Sequence, residues 1–294
     1  MSTPAASRPT DRLRPSAITP PSAGTVRWEI AIVLGLSLGQ SAVYAIVNLL
    51  EKMSRGPLSG QTTTLNPPLA DRQYWDLTYQ LLDIVFALVP VLLVFHLLVI
   101  RGRNPFRTFG LDARRPGADL AWGGALFVAI GLGTLAVYAA GRAAGVTTAI
   151  VGSALDDYWW TVPVLVLSAL RHALLEEVIV VAWLFDRLGY LHQLRSGLDP
   201  ARPGEPGGLR TWASGAVVPL NTTAVVVGCA VLRGAYHLYQ GIGPGVGNLL
   251  MGLVFGALYV RYRRVMPLVV AHLLLDVTGF VAYPVLAQLG LFGT

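Results

Sequence analysis

Ionisable side chains interrupt long apolar runs in this sequence at Asp83, His96, Arg171, His172, Glu176, Glu177, Arg233, His237, His272 and Asp276. Inside a membrane each would cost roughly 2.5–3.5 kcal/mol on insertion scales, so each needs a partner or a task. Glu176 and Glu177 are adjacent in LRHALLEEVIVVAWLF. Neighbours on a helix point about 100° apart, so one can face a cavity while the other turns toward a neighbouring helix. His172 lies four residues before Glu176 and shares its face. VLRGAYHLYQG places Arg233 and His237 on one face, and VVAHLLLDV does the same for His272 and Asp276. His237, His272 and Glu176, from three separate segments, can converge on one point. Such a set binds a divalent metal, zinc by ligand type, or holds a water that a glutamate deprotonates.

The elements that must position these groups are membrane helices. The chain has 294 residues, 54% of them hydrophobic and only 13% charged, with a mean hydropathy of +0.57. A soluble domain carries about 25% charged residues, so the composition excludes a soluble globular protein and a disordered one. The net charge of +6 comes from 22 basic and 16 acidic residues. The basic residues lie between apolar runs, the pattern of a protein whose partner is membrane lipid and not nucleic acid. Cys229 stands alone, which excludes an internal disulfide and a cysteine-based metal cluster.

A span of the hydrocarbon core takes about 20 apolar residues. The sequence predicts an all-α, multi-pass bundle of about seven spans: Ile30–Leu50, Leu77–Ile100, Leu120–Ala140, Val162–Leu184, Val217–Tyr236, Val246–Val260 and Met266–Leu286. The sixth would cover only about 22 Å, which suggests a re-entrant segment or one that leans on its neighbours. Residues 1–26, rich in proline and arginine, read as a disordered cytoplasmic tail. Residues 27–150 then hold helices without a motif, and 151–294 hold the reactive part. Under the positive-inside rule, the tail and the second, fourth and sixth loops carry sixteen basic residues against four in the alternating loops. That predicts a multi-pass protein of the cell membrane, with a cytoplasmic N-terminus and an external C-terminus.

Some of the buried polar residues have simpler readings. His96 and Asp83 read as interhelical hydrogen-bond partners, while His172 belongs to no second cluster. Depth poses a problem: His272 falls about six residues into its span and His237 about 20 into its own, a separation of about 20 Å in straight helices. A later start of the fifth helix, near Pro219 or beyond, or tilted and kinked helices would bring the two together.

The order Glu-Glu, then His, then His-x-x-x-Asp in successive late helices resembles the CAAX-protease and bacteriocin-processing family (CPBP, or Abi) of intramembrane proteases. The pieces are LLEEV, RGAYHLYQG, GIGPGVGNLLMGLVFGALYVRYRRVMP and AHLLLD, spanning about Val162 to Gly279. The resemblance implies a metalloprotease label and active-site roles for Glu176, His237 and His272, with Asp276 assisting and Glu177 as a supporting carboxylate. Val181 and Ala182 stand where the family motif has Arg-Gly, and Arg233 stands in a position usually held by Phe. The spacing suggests that Arg233 supplies the missing charge, reaching Glu177 from another helix.

The function so implied is an intramembrane endopeptidase acting on a membrane-tethered peptide or protein. In that reading Glu176 is the base, His237 and His272 hold the water or a metal, and Asp276 orients His272 from one turn away. A non-catalytic scaffold or immunity protein of the same fold is the first alternative. A proton-coupled transporter is the second, although the sequence lacks the inverted repeat expected of one.

Overall fold

The computed structural model of the chain describes residues 20–282. The first nineteen residues of the expected tail, the end of the seventh expected span and the C-terminus lie outside them. The described part is mainly helical: α1 Ala23–Gly35, α2 Leu38–Arg55, α3 Gln73–Ala87, α4 Val89–Val99, α5 Pro105–Phe109, α6 Pro116–Ala143, α7 Thr161–Glu176, α8 Leu184–Arg195, α9 Thr222–Tyr236, α10 Ile242–Tyr262 and α11 Met266–Val277. The all-α expectation has one small exception. β1 (Thr62–Thr64) and β2 (Ala149–Val151) pair in parallel, with Thr63 opposite Ile150.

Among the described residues, three helical stretches are long and apolar enough to cross a membrane: Gln73–Val99, Pro116–Ala143 and Ile242–Tyr262. The pair α1–α2, bent by 50° at Leu36–Ser37, makes a fourth if it is one broken span. Alone, α9 and Met266–Val281 are apolar but shorter. Local chemistry explains the breaks. Ser37 Oγ donates back to Val33 O at 2.6 Å, a bond that competes with the helix ladder. Pro90 removes an amide donor just after the break between α3 and α4.

Two sequence expectations need correction here. Helix α1 begins at Ala23, inside the expected disordered tail, because Ser22 caps it by accepting from the Thr25 amide at 3.1 Å. Val26, fully buried, then packs with Tyr190, Leu191, Leu209 and Val217. The sixth span is not short either. Helix α10 starts at Ile242, after Gly241 at φ +114°, with Pro244 in its first turn, where a missing amide costs nothing. Its 21 residues cover about 31 Å.

The connecting segments gather into two groups at opposite ends. At one end Arg103 meets Asp186 at 2.6 Å, Arg264 meets Asp112 at 3.1 Å and Asp119 at 2.6 Å, and Arg101 pairs with Glu29 of α1. Arg263 lies over the Trp212 ring there, 5.1 Å from its centroid. At the other end are the β1–β2 pair, Lys52 Nζ donating to Tyr239 O at 2.6 Å, and Thr148 Oγ1 donating to Gln240 O at 2.8 Å.

Helices α9 and α10 pack tightly through small residues. A Cβ on Gly252 would lie 2.8 Å from Ala230 Cα and 3.3 Å from Arg233 Cδ, and one on Gly234 would lie 2.8 Å from Gly245 O. Only glycine allows this approach, which seats the Arg233 stem between the two helices.

Candidate active site

Helix α7 does not end at Glu176. It continues as a π-helical stretch, Glu177–Trp183, directly into α8. The widening coincides with the β-branched run Val178–Val181, which crowds the turns of an α-helix. Single π-turns inside α-helices are frequent at functional sites. Helix α11 likewise passes into a π-helical stretch, Thr278–Ala282.

The two glutamates occupy different environments. Glu177 has no exposed side-chain surface, whereas Glu176 keeps 7%. Arg233 reaches across from α9 and its Nη2 lies 2.7 Å from Glu177 Oε1 and 3.2 Å from Glu176 Oε2. Both carboxylates are thus ion-paired to one guanidinium nitrogen. The guanidinium also lies 5.3 Å from the Phe255 ring centroid, a cation–π contact shielded from water. Val181, where the family motif has arginine, is buried in the apolar core.

His272 of α11 completes the centre. Its Nδ1 is 2.8 Å from Glu177 Oε1 and 3.1 Å from Arg233 Nη2. A guanidinium only donates and a carboxylate only accepts. The shorter contact is therefore the hydrogen bond, with Nδ1–H donating to Glu177. This orients the ring and turns Nε2 toward Glu176 Oε2 at 3.9 Å and Asp276 Oδ2 at 3.6 Å. The sequence expectation gave the orienting role to Asp276; in the structure Glu177 holds the ring and Asp276 faces the opposite nitrogen. Sequence spacing favoured the i,i+4 partner on the same helix, but the closer carboxylate comes from another one.

His237 follows the last residue of α9. Its Nδ1–H donates to Arg233 O at 3.0 Å, which leaves Nε2 as the free nitrogen of the neutral ring. Helix α9 starts at Thr222, five residues after the expected start. That removes about 7 Å of the expected depth mismatch with His272.

Tyr236 was not among the sequence candidates. Its buried hydroxyl donates to Glu176 Oε2 at 2.8 Å. The available signal was a tyrosine beside a candidate histidine, since a buried phenol normally finds an acceptor. Arg171 does not reach the glutamates. It pairs with Asp83 of α3 and contacts His172 Nε2 at 2.5 Å. His96 is exposed on α4 and stands apart from the cluster.

Glu176, Glu177 and His272 form a buried group whose ligand atoms lie within 4.8 Å of one another, close enough to hold a metal ion. This differs from the expected set of Glu176, His237 and His272: His237 is not in the group and Glu177 is. Arg233 Nη2 already contacts Glu176 Oε2, Glu177 Oε1 and His272 Nδ1. A divalent ion on those atoms would sit against a guanidinium of like charge. The donor set therefore fits a metal only if Arg233 withdraws, and as arranged its cation is Arg233.

No curated protein and no solved structure matches the chain. A family model described as type II CAAX prenyl endopeptidase Rce1-like matches residues 158–278. That stretch runs from just before α7 to the end of α11 and contains Glu176, Glu177, Arg233, Tyr236, His237, His272 and Asp276. The part of the chain that carries this centre is therefore similar to the Rce1-like family of CAAX proteases, the relationship that its Glu-Glu, His and His-x-x-x-Asp motifs suggest.

Proposed function

We propose that the protein is an intramembrane endopeptidase that cleaves a membrane-tethered peptide near its C-terminus, with Glu176 as the general base. The observation that carries this reading is the contrast between the two glutamates. Glu177 is fully enclosed and committed to Arg233 and His272. Glu176 keeps partial access and is held by Tyr236 and Arg233 beside His272 Nε2. A water between Glu176 and the free His237 Nε2 would donate one proton to each acceptor and present its lone pair to a scissile carbonyl. His272, held through Nδ1 by Glu177 and carrying a second proton on Nε2 between the Glu176 and Asp276 carboxylates, would then donate from Nε2 to the oxygen on which negative charge develops. Glu176 would pass its proton to the leaving amine as the intermediate collapses. None of these steps requires a metal.

Proteolysis of a fluorogenic peptide ending in an S-farnesylated C-a-a-X sequence tests the reading. Glu176→Gln keeps the shape but cannot accept the proton, and the rate should fall by about 10²–10⁴-fold, the usual worth of general base catalysis. Cleavage by Glu176→Gln at the wild-type rate would refute the assignment.

For orientation, the arginine-rich end is the cytoplasmic one and the chain crosses seven times. The sorting of the connections into two groups supports this, as does the excess of arginine in one group. Cysteines introduced at Gly145 and Gly207 in a Cys229→Ser background should react with an impermeant maleimide from opposite faces. Labelling from the same face would remove the seven-crossing topology.

A further inference from the structure

Arg171 lies five residues before Glu176 on α7, roughly 7 Å along the helix axis. Its Nη2 donates to His172 Nε2, so the remaining proton of the neutral ring is on Nδ1. That nitrogen faces Asp276 Oδ2 at 3.5 Å, and the same oxygen is 3.6 Å from His272 Nε2. A polar track thus connects the centre to Arg171.

Two features of Arg171 point to a ligand. Its Nε is buried and donates to nothing among the described residues. Its counter-ion Asp83 has 55% of its side chain exposed, against 14% for Arg171. Asp83 stands within the apolar stretch Gln73–Val99. The carboxylate side of the pair is thus the open one, where another carboxylate can replace it.

We propose that Arg171 binds the free C-terminal carboxylate of the substrate and that Asp83 occupies this place until substrate displaces it. The inference rests on the endopeptidase reading above. A guanidinium fork matches a carboxylate, and the exposed partner already present is one. Arg233 cannot serve, because it has no exposure and holds both glutamates. The length also agrees. Three residues follow the cysteine of a C-a-a-X terminus and extend to about 10 Å. With the bond after the cysteine at Glu176, the terminal carboxylate falls within reach of the Arg171 side chain.

Two peptides with S-farnesylcysteine fourth from the end test the proposal, one ending in a free carboxylate and one in a carboxamide. Binding is measured by fluorescence anisotropy on the Glu176→Gln protein, so no cleavage is required. The acid should bind roughly 10- to 100-fold more tightly than the amide, the usual worth of hydrogen bonds to a charged group. Arg171→Gln should abolish that preference, and Asp83→Asn should enlarge it by removing the competing carboxylate. Equal binding of the two peptides, binding of neither, or a preference that survives Arg171→Gln overturns the assignment. If Arg171→Gln fails to fold, Asp83→Asn decides: a preference that is not enlarged overturns it. Cleavage of either peptide by the wild-type protein, lost in Glu176→Gln, is scored separately and bears on the catalytic reading alone.

Discussion

Arg233 on α9 and Glu177 at the start of the π-helical stretch form an ion pair at 2.7 Å in which neither side chain has any exposure. The carboxylate and its cation come from helices far apart in sequence. Breaking such a pair strands a buried charge, which costs about 3–5 kcal/mol. Arg233→Ala should therefore destabilise the protein by about that amount in thermal or denaturant unfolding. Arg233→Ala/Glu177→Ala should recover part of the loss. If the double mutant loses the plain sum of the two single effects, the pair is not coupled.

Arg233 also decides the expected response to metal removal. Its guanidinium contacts the same atoms of Glu176, Glu177 and His272 that a divalent ion would need. Prolonged chelation should leave both proteolysis and the melting temperature unchanged, and purified protein should hold well under one metal ion per chain. Activity lost on chelation and restored by zinc would show that Arg233 withdraws in the working enzyme.

Tyr236→Phe removes the hydroxyl that donates to Glu176 Oε2 at 2.8 Å and leaves the packing intact. A tenfold fall in kcat corresponds to about 1.4 kcal/mol, less than the full worth of a hydrogen bond to a charged group. A fall of roughly tenfold is expected, with little change in KM, if the bond positions the base. An unchanged kcat would reduce Tyr236 to a packing residue.

Acid sensitivity should arise in part at the arginine-rich end. Hydrogen bonds from Arg114, together with Arg264, hold the Asp112 carboxyl down at about 2. The folded value lies below the unfolded one of about 3.9. The contribution is therefore present above pH of about 4 and is lost as the pH falls toward 2. Asp112→Asn should flatten the stability profile across that window and leave its neutral-pH shape alone. An identical acid limb in wild type and mutant would remove Asp112 as a cause.

Much of the site was legible in the sequence because burial of charge is conspicuous. Glu176, Glu177, Arg233, His237 and His272 stand in apolar runs where each needs a reason. The i,i+4 pairing of Arg233 with His237 placed a cation near the second histidine, and the empty charge position at Val181 gave that cation a reason. Composition alone likewise required apolar helices. Partners at similar distances could not be ranked this way. Glu177, not Asp276, holds His272 Nδ1, and Tyr236, which was no candidate, shares Glu176 with Arg233. Helical periodicity says which residues share a face of one helix. It does not say how that helix is rotated against its neighbours, and the π-helical turns after Glu176 and Val277 shift that rotation within the span. The span edges depended on local detail: the Ser22 cap began α1 early, and α10 runs back through Pro244 to Ile242, a stretch that apolar counting had left out. The sequence by itself determined which charges must be buried and from which segments they come. The close packing of α9 on α10 and the widened turns of α7 and α11 decided which of them meet, because hydrogen bonds act over about 3 Å and only the folded backbone sets distances that finely.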